Sequence, residues 1–192
     1  MTDSPGIRQI TDSRVLAAFS HPLRRRLMDV FTVDGPATAS MLAEATGQAV
    51  GNVSHHLKVL ASAELIEEAP ELARDRRERW WRPMSTRLRW STEDFRDDPS
   101  ADAVAQAALS LNLQHQFDLV RRWYASSYEE HAAWPTGPFS TGSWLKLTDG
   151  ELARLCEELV ALVARYTELD DAEDGIERSN VFVFANGAPG RP

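Results

Sequence analysis

The segment 48–58 concentrates side chains whose chemistry suits contact with a nucleic acid. Amide, hydroxyl, imidazole and amine groups can hydrogen-bond to base edges or to phosphate oxygens. On a helix of about 100° per residue, Val53, Leu57 and Leu60 define a core face, and the polar residues fall on its flanks and opposite side. A solvated surface, which every exposed helix has, is the alternative. We define the outward set as Gln48, Gly51, Asn52, Ser54, His55 and Lys58.

Gly51 and the adjacent histidines His55 and His56 are unusual residues within this predicted helix. Gly51 has low helix propensity, so its missing side chain is expected to allow a close backbone approach, either to DNA or to the preceding helix. His55 and His56 are adjacent and diverge by about 100° on a helix, which makes them a poor metal-binding pair. We expect His55 to face outward and His56 to pack at the edge of the core.

A predicted β-hairpin with a basic tip follows. The runs 65–70 and 79–82 are β-prone and bracket a polar stretch over 71–78. Arginine binds phosphate through paired hydrogen bonds, but it also forms ordinary surface ion pairs. Asp75 and Glu78 dilute the positive charge, so a solvated turn is the alternative to a wing that contacts DNA. The tip arginines are Arg74, Arg76 and Arg77.

Four short helices are predicted before the hairpin. The last two are separated by a tight turn at Gly47, which is the helix-turn-helix arrangement, and a hairpin after it makes a winged helix. For the helices alone, any small helical bundle is the alternative. In the third helix we expect Met41, Leu42 and Ala45 to point inward. The expected bounds are Asp12–Ser20, a helix from Pro22 to near Gly35, Ala39–Thr46 with Thr38 as its N-cap, and a helix from near Gln48.

Two stretches of this region resemble a known family. Residues 20–27 read SHPLRRRL and resemble the opening of ArsR-type winged-helix repressors, and residues 53–60 read VSHHLKVL and resemble their recognition helix. The resemblance covers about 12–83 and implies a homodimeric transcriptional regulator, with the fourth helix in the major groove and the hairpin on flanking DNA. Family members commonly have Gly-Leu where this chain has Glu64-Leu65. Either the turn needs no positive φ, or Glu64 is mildly strained.

The metal sites of the best-known family members are largely missing. Residues 40–44 contain no thiolate, and Cys156 is the single cysteine. His115 and Asp118 lie one turn apart and would supply half of the family's other site, but Val104 occupies the position eleven residues earlier. A soft metal needs several convergent thiolate or imidazole ligands. We therefore expect no metal and no cofactor, with His115 and His131 as ordinary surface or partly buried histidines.

The second half is predicted to begin with a long helix from Ala101 to about Trp134. A helix of about 45 Å with an apolar stripe usually packs against something outside its own small domain. We expect a dimer contact, which would place two recognition helices about 34–36 Å apart. A core helix of a compact α+β domain is the alternative. The predicted dimer residues are Leu109, Leu113, Phe117, Val120 and Tyr124, and Tyr128 extends the stripe.

After the long helix, the sequence pattern predicts two strands and another helix. The runs 143–147 and 181–184 are strand candidates that could pair, and Thr148–Glu151 is a capping-box pattern that opens a helix. The aromatic residues near this region could line an effector pocket, although aromatic residues more often fill a core. They are Trp123, Tyr124, Tyr128, Trp134 and Trp144.

Charge and composition bound the function. The 192 residues carry a net charge of −8, but residues 1–96 carry +1 and residues 97–192 carry −9. Only the first half has a net charge compatible with binding a polyanion such as a nucleic acid. No apolar run is long enough to span a bilayer, the first residues do not resemble a secretory signal, and a lone cysteine fits a reducing cytoplasm. No phosphate-binding glycine loop, nucleophile elbow or catalytic constellation is present, so we predict no enzyme.

The sequence thus predicts a mainly α fold with a small β component. A winged helix-turn-helix precedes a C-terminal helical or α+β dimerisation region. We expect a cytoplasmic homodimer that binds double-stranded DNA and regulates transcription without sensing metal. The alternatives are a winged-helix protein-interaction module and a regulator with a small-molecule effector. The expected divisions are an N-terminal arm (1–11), the winged helix (12–92), a linker (93–100), the C-terminal region (101–186) and a disordered tail (187–192).

Overall fold

The computed structural model describes residues 7–75, 77–85, 87–167, 175–176 and 178–191. The chain forms two compact units, the first ending at Phe117 and the second beginning at Asp118. The predicted fold class, mainly helical with a small β component, is confirmed. The first unit contains both small sheets.

Local capping defines the helices of the first unit. The Asp12 carboxylate accepts a hydrogen bond from Arg14 N, His21 Nδ1 accepts from Leu23 N, and Thr38 Oγ1 accepts from Met41 N. These caps match the starts expected from the sequence, because a side-chain acceptor satisfies an otherwise unpaired N–H in the first turn. The helices are α1 (Ser13–Phe19), α2 (Pro22–Asp34), α3 (Ala39–Thr46) and α4 (Val50–Ser62).

The turn between α3 and α4 requires a left-handed residue. Gly47 has φ 66°, a conformation that glycine adopts without steric cost. The fourth helix begins at Val50 rather than near Gln48, so Gln48 lies in the turn. The prediction that Met41 and Ala45 point inward is wrong, because both are exposed while Leu42 is buried. Thr46 is buried as well, and its hydroxyl donates to the carbonyl oxygen of Leu42, which removes the cost of burying it.

The predicted hairpin is present and belongs to a three-stranded antiparallel sheet. The strands of the first unit are β1 (Ile7–Gln9), β2 (Ala37–Thr38), β3 (Ile66–Glu68), β4 (Trp80–Pro83) and β5 (Arg87–Arg89). Strand β4 pairs with β3 on one side and with the two-residue β2 on the other. A second, parallel pair joins β1 to β5, so part of the predicted N-terminal arm is a strand.

The core of the first unit has two parts. The larger part joins α1–α4 to the three-stranded sheet through Phe31, Leu57 and Leu60. The smaller part contains Ile10, Leu16 and Phe95 with the alanines at 105 and 108. Phe95 ends a short 3₁₀ helix (Thr92–Phe95) that overlaps the predicted linker 93–100. Residues beyond position 92 therefore contribute to the core of the winged-helix unit.

The long helix is shorter than expected. Helix α5 spans Pro99–Tyr124, and a separate helix α6 spans Tyr128–Ala132. The break has a local cause, because Ser127 and Glu130 form a capping box that starts a new helix. Tyr128 is therefore not part of the α5 stripe.

The second unit contains α6 and α7 (Asp149–Thr167). The predicted capping box of α7 is confirmed, since Glu151 accepts from Thr148 N and donates its own N–H to the Thr148 hydroxyl. The strands predicted at 143–147 and 181–184 do not form. Neither the alternating pattern of 143–147 nor the apolar run of 181–184 is accompanied by backbone pairing, which a strand requires. Within the described residues, no helix combines the length and apolar character that a bilayer crossing requires.

Candidate nucleic-acid interface

Helix α4 separates a buried face from an exposed one as the sequence predicts. Val53, Leu57 and Leu60 are buried, and His56 is buried beside them, as expected for a packing histidine. Within the outward set Ser54 is half-buried, and the other five members are exposed: Gln48, Gly51, Asn52, His55 and Lys58. Groups able to contact base edges and phosphates therefore line one accessible surface.

A hydrogen bond orders the start of this surface. Asn52 Nδ2 donates to Gln48 Oε1 over 3.1 Å, which joins the turn to the first part of α4. The N-cap residue Ala49 makes no side-chain capping bond. A Cβ added at Gly51 would meet no atom within 4 Å. Of the two reasons considered for Gly51, close approach of the preceding helix is therefore excluded.

The wing tip is closed by its own carboxylates. Asp75 Oδ1 accepts from the backbone N–H groups of Arg77 (2.7 Å) and Glu78 (3.1 Å), and Glu78 Oε2 accepts from Arg74 N (2.8 Å). The bond from Arg74 N lowers the pKa of Glu78. These acidic residues shape the tip, while Arg74 and Arg77 stay exposed. The third predicted wing arginine, Arg76, lies outside the described residues.

A cleft connects the wing to the helix-turn-helix. Its volume is about 480 Å³, and Lys58 from α4 and Arg77 from the wing both line it. The contributions of Ser40 and Arg79 were not predicted from the sequence, because the pairing of β4 with β2, the strand that precedes α3, is not visible in either segment alone. The cleft is lined by Thr38, Ala39, Ser40, Ser54, Leu57, Lys58, Asp75, Arg77, Glu78, Arg79 and Trp81.

The arginines of α2 serve the fold. Arg25 is buried with its guanidinium 4.5 Å from the centroid of the Phe19 ring, and burial lowers its pKa while Asp29 opposes this shift. Arg26 NH1 donates to the carbonyl oxygen of Thr46 over 2.9 Å, at the end of α3. The basic run 24–26 is therefore used within the domain.

The histidines considered as metal ligands have other partners. His115 Nε2 lies 2.7 Å from Asp29 Oδ2 of α2. His131 Nε2 lies 2.9 Å from the carbonyl oxygen of Trp123. Across the described ranges, no group of three or more His, Cys, Asp or Glu side chains is arranged to hold a metal ion.

The α5 stripe and the aromatic residues are largely accessible. Leu109, Phe117 and Tyr124 are exposed, while Leu113 and Val120 are half-buried. Helix α5 packs into the core through its alanines at 105 and 108 instead. Among the candidate pocket aromatics, Tyr128 is 88% exposed and Trp144 is 72% exposed. These two side chains are open to solvent.

The helix-turn-helix region of this chain is similar to a known family. Residues 19–69 match a family model described as a helix-turn-helix domain. No curated protein sequence matches the chain.

Among solved structures, a homodimeric winged helix-turn-helix DNA-binding domain from Mycobacterium bovis, a possible ArsR-family transcriptional regulator, is 22% identical. The match covers 55% of this chain and 83% of that one, with a TM-score of 0.35. The transcriptional repressor BigR from Xylella fastidiosa is 19% identical over 55% and 83% of the two chains, with a TM-score of 0.34. A MarR family regulator from Neisseria meningitidis is 20% identical over 80% and 77%, with a TM-score of 0.30.

Because these TM-scores lie below 0.5, the domain assignment rests on the family model and on the geometry of this chain. The matched region contains α2, α3, α4 and β3, and the wing follows from the pairing of β3 with β4. The chain therefore carries a winged helix-turn-helix whose helix-turn-helix part is similar to the matched family over residues 19–69.

Proposed function

We propose that this protein is a sequence-specific DNA-binding transcriptional regulator. One observation carries the proposal: α4 exposes Asn52, His55 and Lys58 away from its buried residues, and the turn before it exposes Gln48, next to a wing that exposes Arg77. Base contacts from α4 would supply sequence preference, and wing arginines, including Arg74 and Arg76, would bind phosphates. Gly51 and Ser54 complete the α4 surface.

The proposal includes a homodimer that binds an inverted repeat. The exposure of Leu109, Phe117 and Tyr124, with Leu113 and Val120 beside them, supports an α5 contact between two copies. A two-fold axis would present two α4 helices to successive major grooves, about 34–36 Å apart. We further propose repression as the outcome, in line with the family resemblance of residues 20–27 and 53–60.

We propose that metal is not the inducing signal. Two facts support this: residues 40–44 offer no thiolate, and His115 is engaged by Asp29. Affinity for DNA should then be the same with and without a chelator. A drop or rise in affinity on adding Zn²⁺ that a chelator reverses would contradict this part of the proposal.

The decisive experiment is selection of double-stranded genomic fragments on the purified full chain at low and moderate salt. We expect an inverted repeat whose half-site centres are about 10–10.5 base pairs apart, with affinity that falls steeply as salt rises. If the chain retains no DNA at low salt but holds a stable heterologous protein, the winged-helix interaction module is correct instead.

A further inference from the structure

A cluster of imidazoles and a guanidinium joins three helices of the DNA-binding domain. His21 precedes α2, Arg24 lies in its first turn, and His56 belongs to α4. The ring centroids of His21 and His56 are 4.5 Å apart. Arg24 also reaches α1, where its guanidinium donates to the carbonyl oxygens of Ala17 and Ala18. The cluster therefore fixes α4 against both earlier helices.

Both imidazoles use the same nitrogen as an acceptor. Leu23 N, a backbone group that can only donate, lies 3.2 Å from His21 Nδ1. Arg24 NH1, which also can only donate, lies 3.4 Å from His56 Nδ1. A hydrogen bond of this kind needs an unprotonated Nδ1, since a doubly protonated imidazole has no acceptor. Protonation of either ring would thus remove its bond and place two cations side by side.

Neighbouring charges disfavour protonation further. Burial lowers the pKa of His56, and His21, Arg24 and His55 lower it further. Desolvation and then Arg24 lower the pKa of His21, although this ring is exposed at the edge of the cluster. In the described part of the chain, no carboxylate contributes to either shift.

We propose that His21, Arg24 and His56 form a pH-sensitive bracket, which positions α4 for DNA when both imidazoles are neutral and releases it in mild acid. This inference rests on the proposed function. In the released domain the two imidazoles take up protons below the usual histidine pKa of 6.5. In the bracketed domain both pKa values are lower, so the same imidazoles stay neutral to lower pH. The stabilisation that the bracket contributes is therefore fully present above pH 6.5 and declines as the pH falls below that value.

The direction in which DNA affinity changes in acid distinguishes opening of the bracket from a simple gain of positive charge. Protonation of a histidine near DNA adds positive charge, which strengthens binding to phosphates. His55, exposed on the same helix, would act in that direction. A bracket that opens has the opposite effect, because the apparent affinity falls with the fraction of protein that is competent to bind.

The test is DNA affinity of the full chain between about pH 7.5 and about pH 5.5 at constant ionic strength, using the selected fragments as probe. Wild type should lose several-fold in affinity, with an upper limit of about tenfold per pH unit for each proton taken up. The double variant His21→Asn/His56→Gln keeps an N-cap acceptor and a side-chain acceptor but cannot titrate, so its profile should be flat or rise slightly in acid. His131→Gln, a histidine of the second unit, should behave as wild type.

The dependence of DNA affinity on pH can contradict the bracket in two ways. A wild-type affinity that is constant or rises in acid overturns the bracket, as does an equal loss in wild type and in the double variant. If His56→Gln does not fold, His21→Asn alone should lose less affinity than wild type. If wild type retains no DNA at pH 7.5, the proposed function fails, and urea unfolding over the same pH range still tests the bracket. In that case the loss of stability in acid must be smaller in the variants.

Discussion

Arg8 of β1 donates a guanidinium hydrogen bond to the backbone carbonyl oxygen of Glu64, just beyond the end of α4. Glu64 has φ 54°, and it is the one non-glycine residue with positive φ in the described chain. Its backbone N–H donates to the carbonyl oxygen of Ala61 over 2.9 Å. Of the two possibilities considered for the Glu64-Leu65 turn, the strained one is correct. The N-terminal strand thus holds a strained turn at the end of the helix proposed to read DNA.

Replacing Glu64 by glycine should stabilise the domain. Glycine adopts positive φ without the steric cost that other residues bear, so Glu64→Gly should raise the free energy of unfolding by about 0.5–1 kcal/mol in urea denaturation. The backbone carbonyl that Arg8 contacts is unchanged. Glu64→Gln is the control, since it keeps the strain and removes only the exposed ion pair with Arg8 at 3.8 Å. That change should lie within about 0.5 kcal/mol, because exposed ion pairs contribute little. A lower free energy of unfolding for Glu64→Gly than for wild type would show that positive φ at Glu64 carries no net steric cost.

Gly51→Ala should separate stability from DNA affinity. Alanine is favoured over glycine within a helix by up to about 1 kcal/mol, and the added methyl group meets no atom of the chain within 4 Å, so unfolding should require more denaturant. DNA affinity should fall, because the methyl group occupies space that the proposed function assigns to the duplex. Gly150→Ala in the first turn of α7, which is equally open, is the matched control and should leave affinity unchanged. Tighter or equal DNA binding by Gly51→Ala would remove this residue from the interface.

Asn52→Ala and Arg77→Ala should weaken binding in different ways. Loss of the Asn52 amide should reduce discrimination at one base position by about 1–3 kcal/mol, and His55→Ala should relax preference similarly. Loss of Arg77 should weaken binding to all sequences alike and reduce the salt slope by about 1. Competition between matched and mismatched duplexes at several salt concentrations measures both effects. Arg96→Ala, an exposed arginine outside the wing, should change neither. A uniform loss for Asn52→Ala would assign it to phosphate contact.

A charge on the α5 stripe should convert the proposed dimer to a monomer. Phe117 is 55% exposed and Tyr124 is 60% exposed, so Phe117→Glu and Tyr124→Glu should fold yet be disfavoured in an apolar contact between two copies. Light scattering should give about twice the chain mass of 21.5 kDa for wild type and the single mass for each variant. Leu111→Glu, 38% exposed on the opposite side of the helix, should stay dimeric. A variant on the stripe that keeps the wild-type mass would locate the contact elsewhere.

Features governed by neighbouring residues could be predicted from the sequence. Thr38 caps α3 and Gly47 ends it, because a side-chain acceptor and a left-handed backbone are needed within a few residues of the helix ends. The buried stripe of α4 follows from its periodicity, and the exposed residues follow with it. Patterns without long-range partners were misleading: residues 143–147 alternate like a strand and residues 181–184 form an apolar run, yet neither segment is a strand.

The sequence by itself determined the helix-turn-helix, the hairpin after it and the chemical character of the exposed α4 face, since each depends on short-range spacing. The tertiary structure alone decided which charged groups have partners within the domain. It joined β1 to β5, engaged His115 with Asp29, and engaged Arg26 with the carbonyl oxygen of Thr46. Residues far apart in sequence make these pairs, and their geometry is fixed only when the whole core packs, because each pair gains its energy from elements that its own segment does not contain.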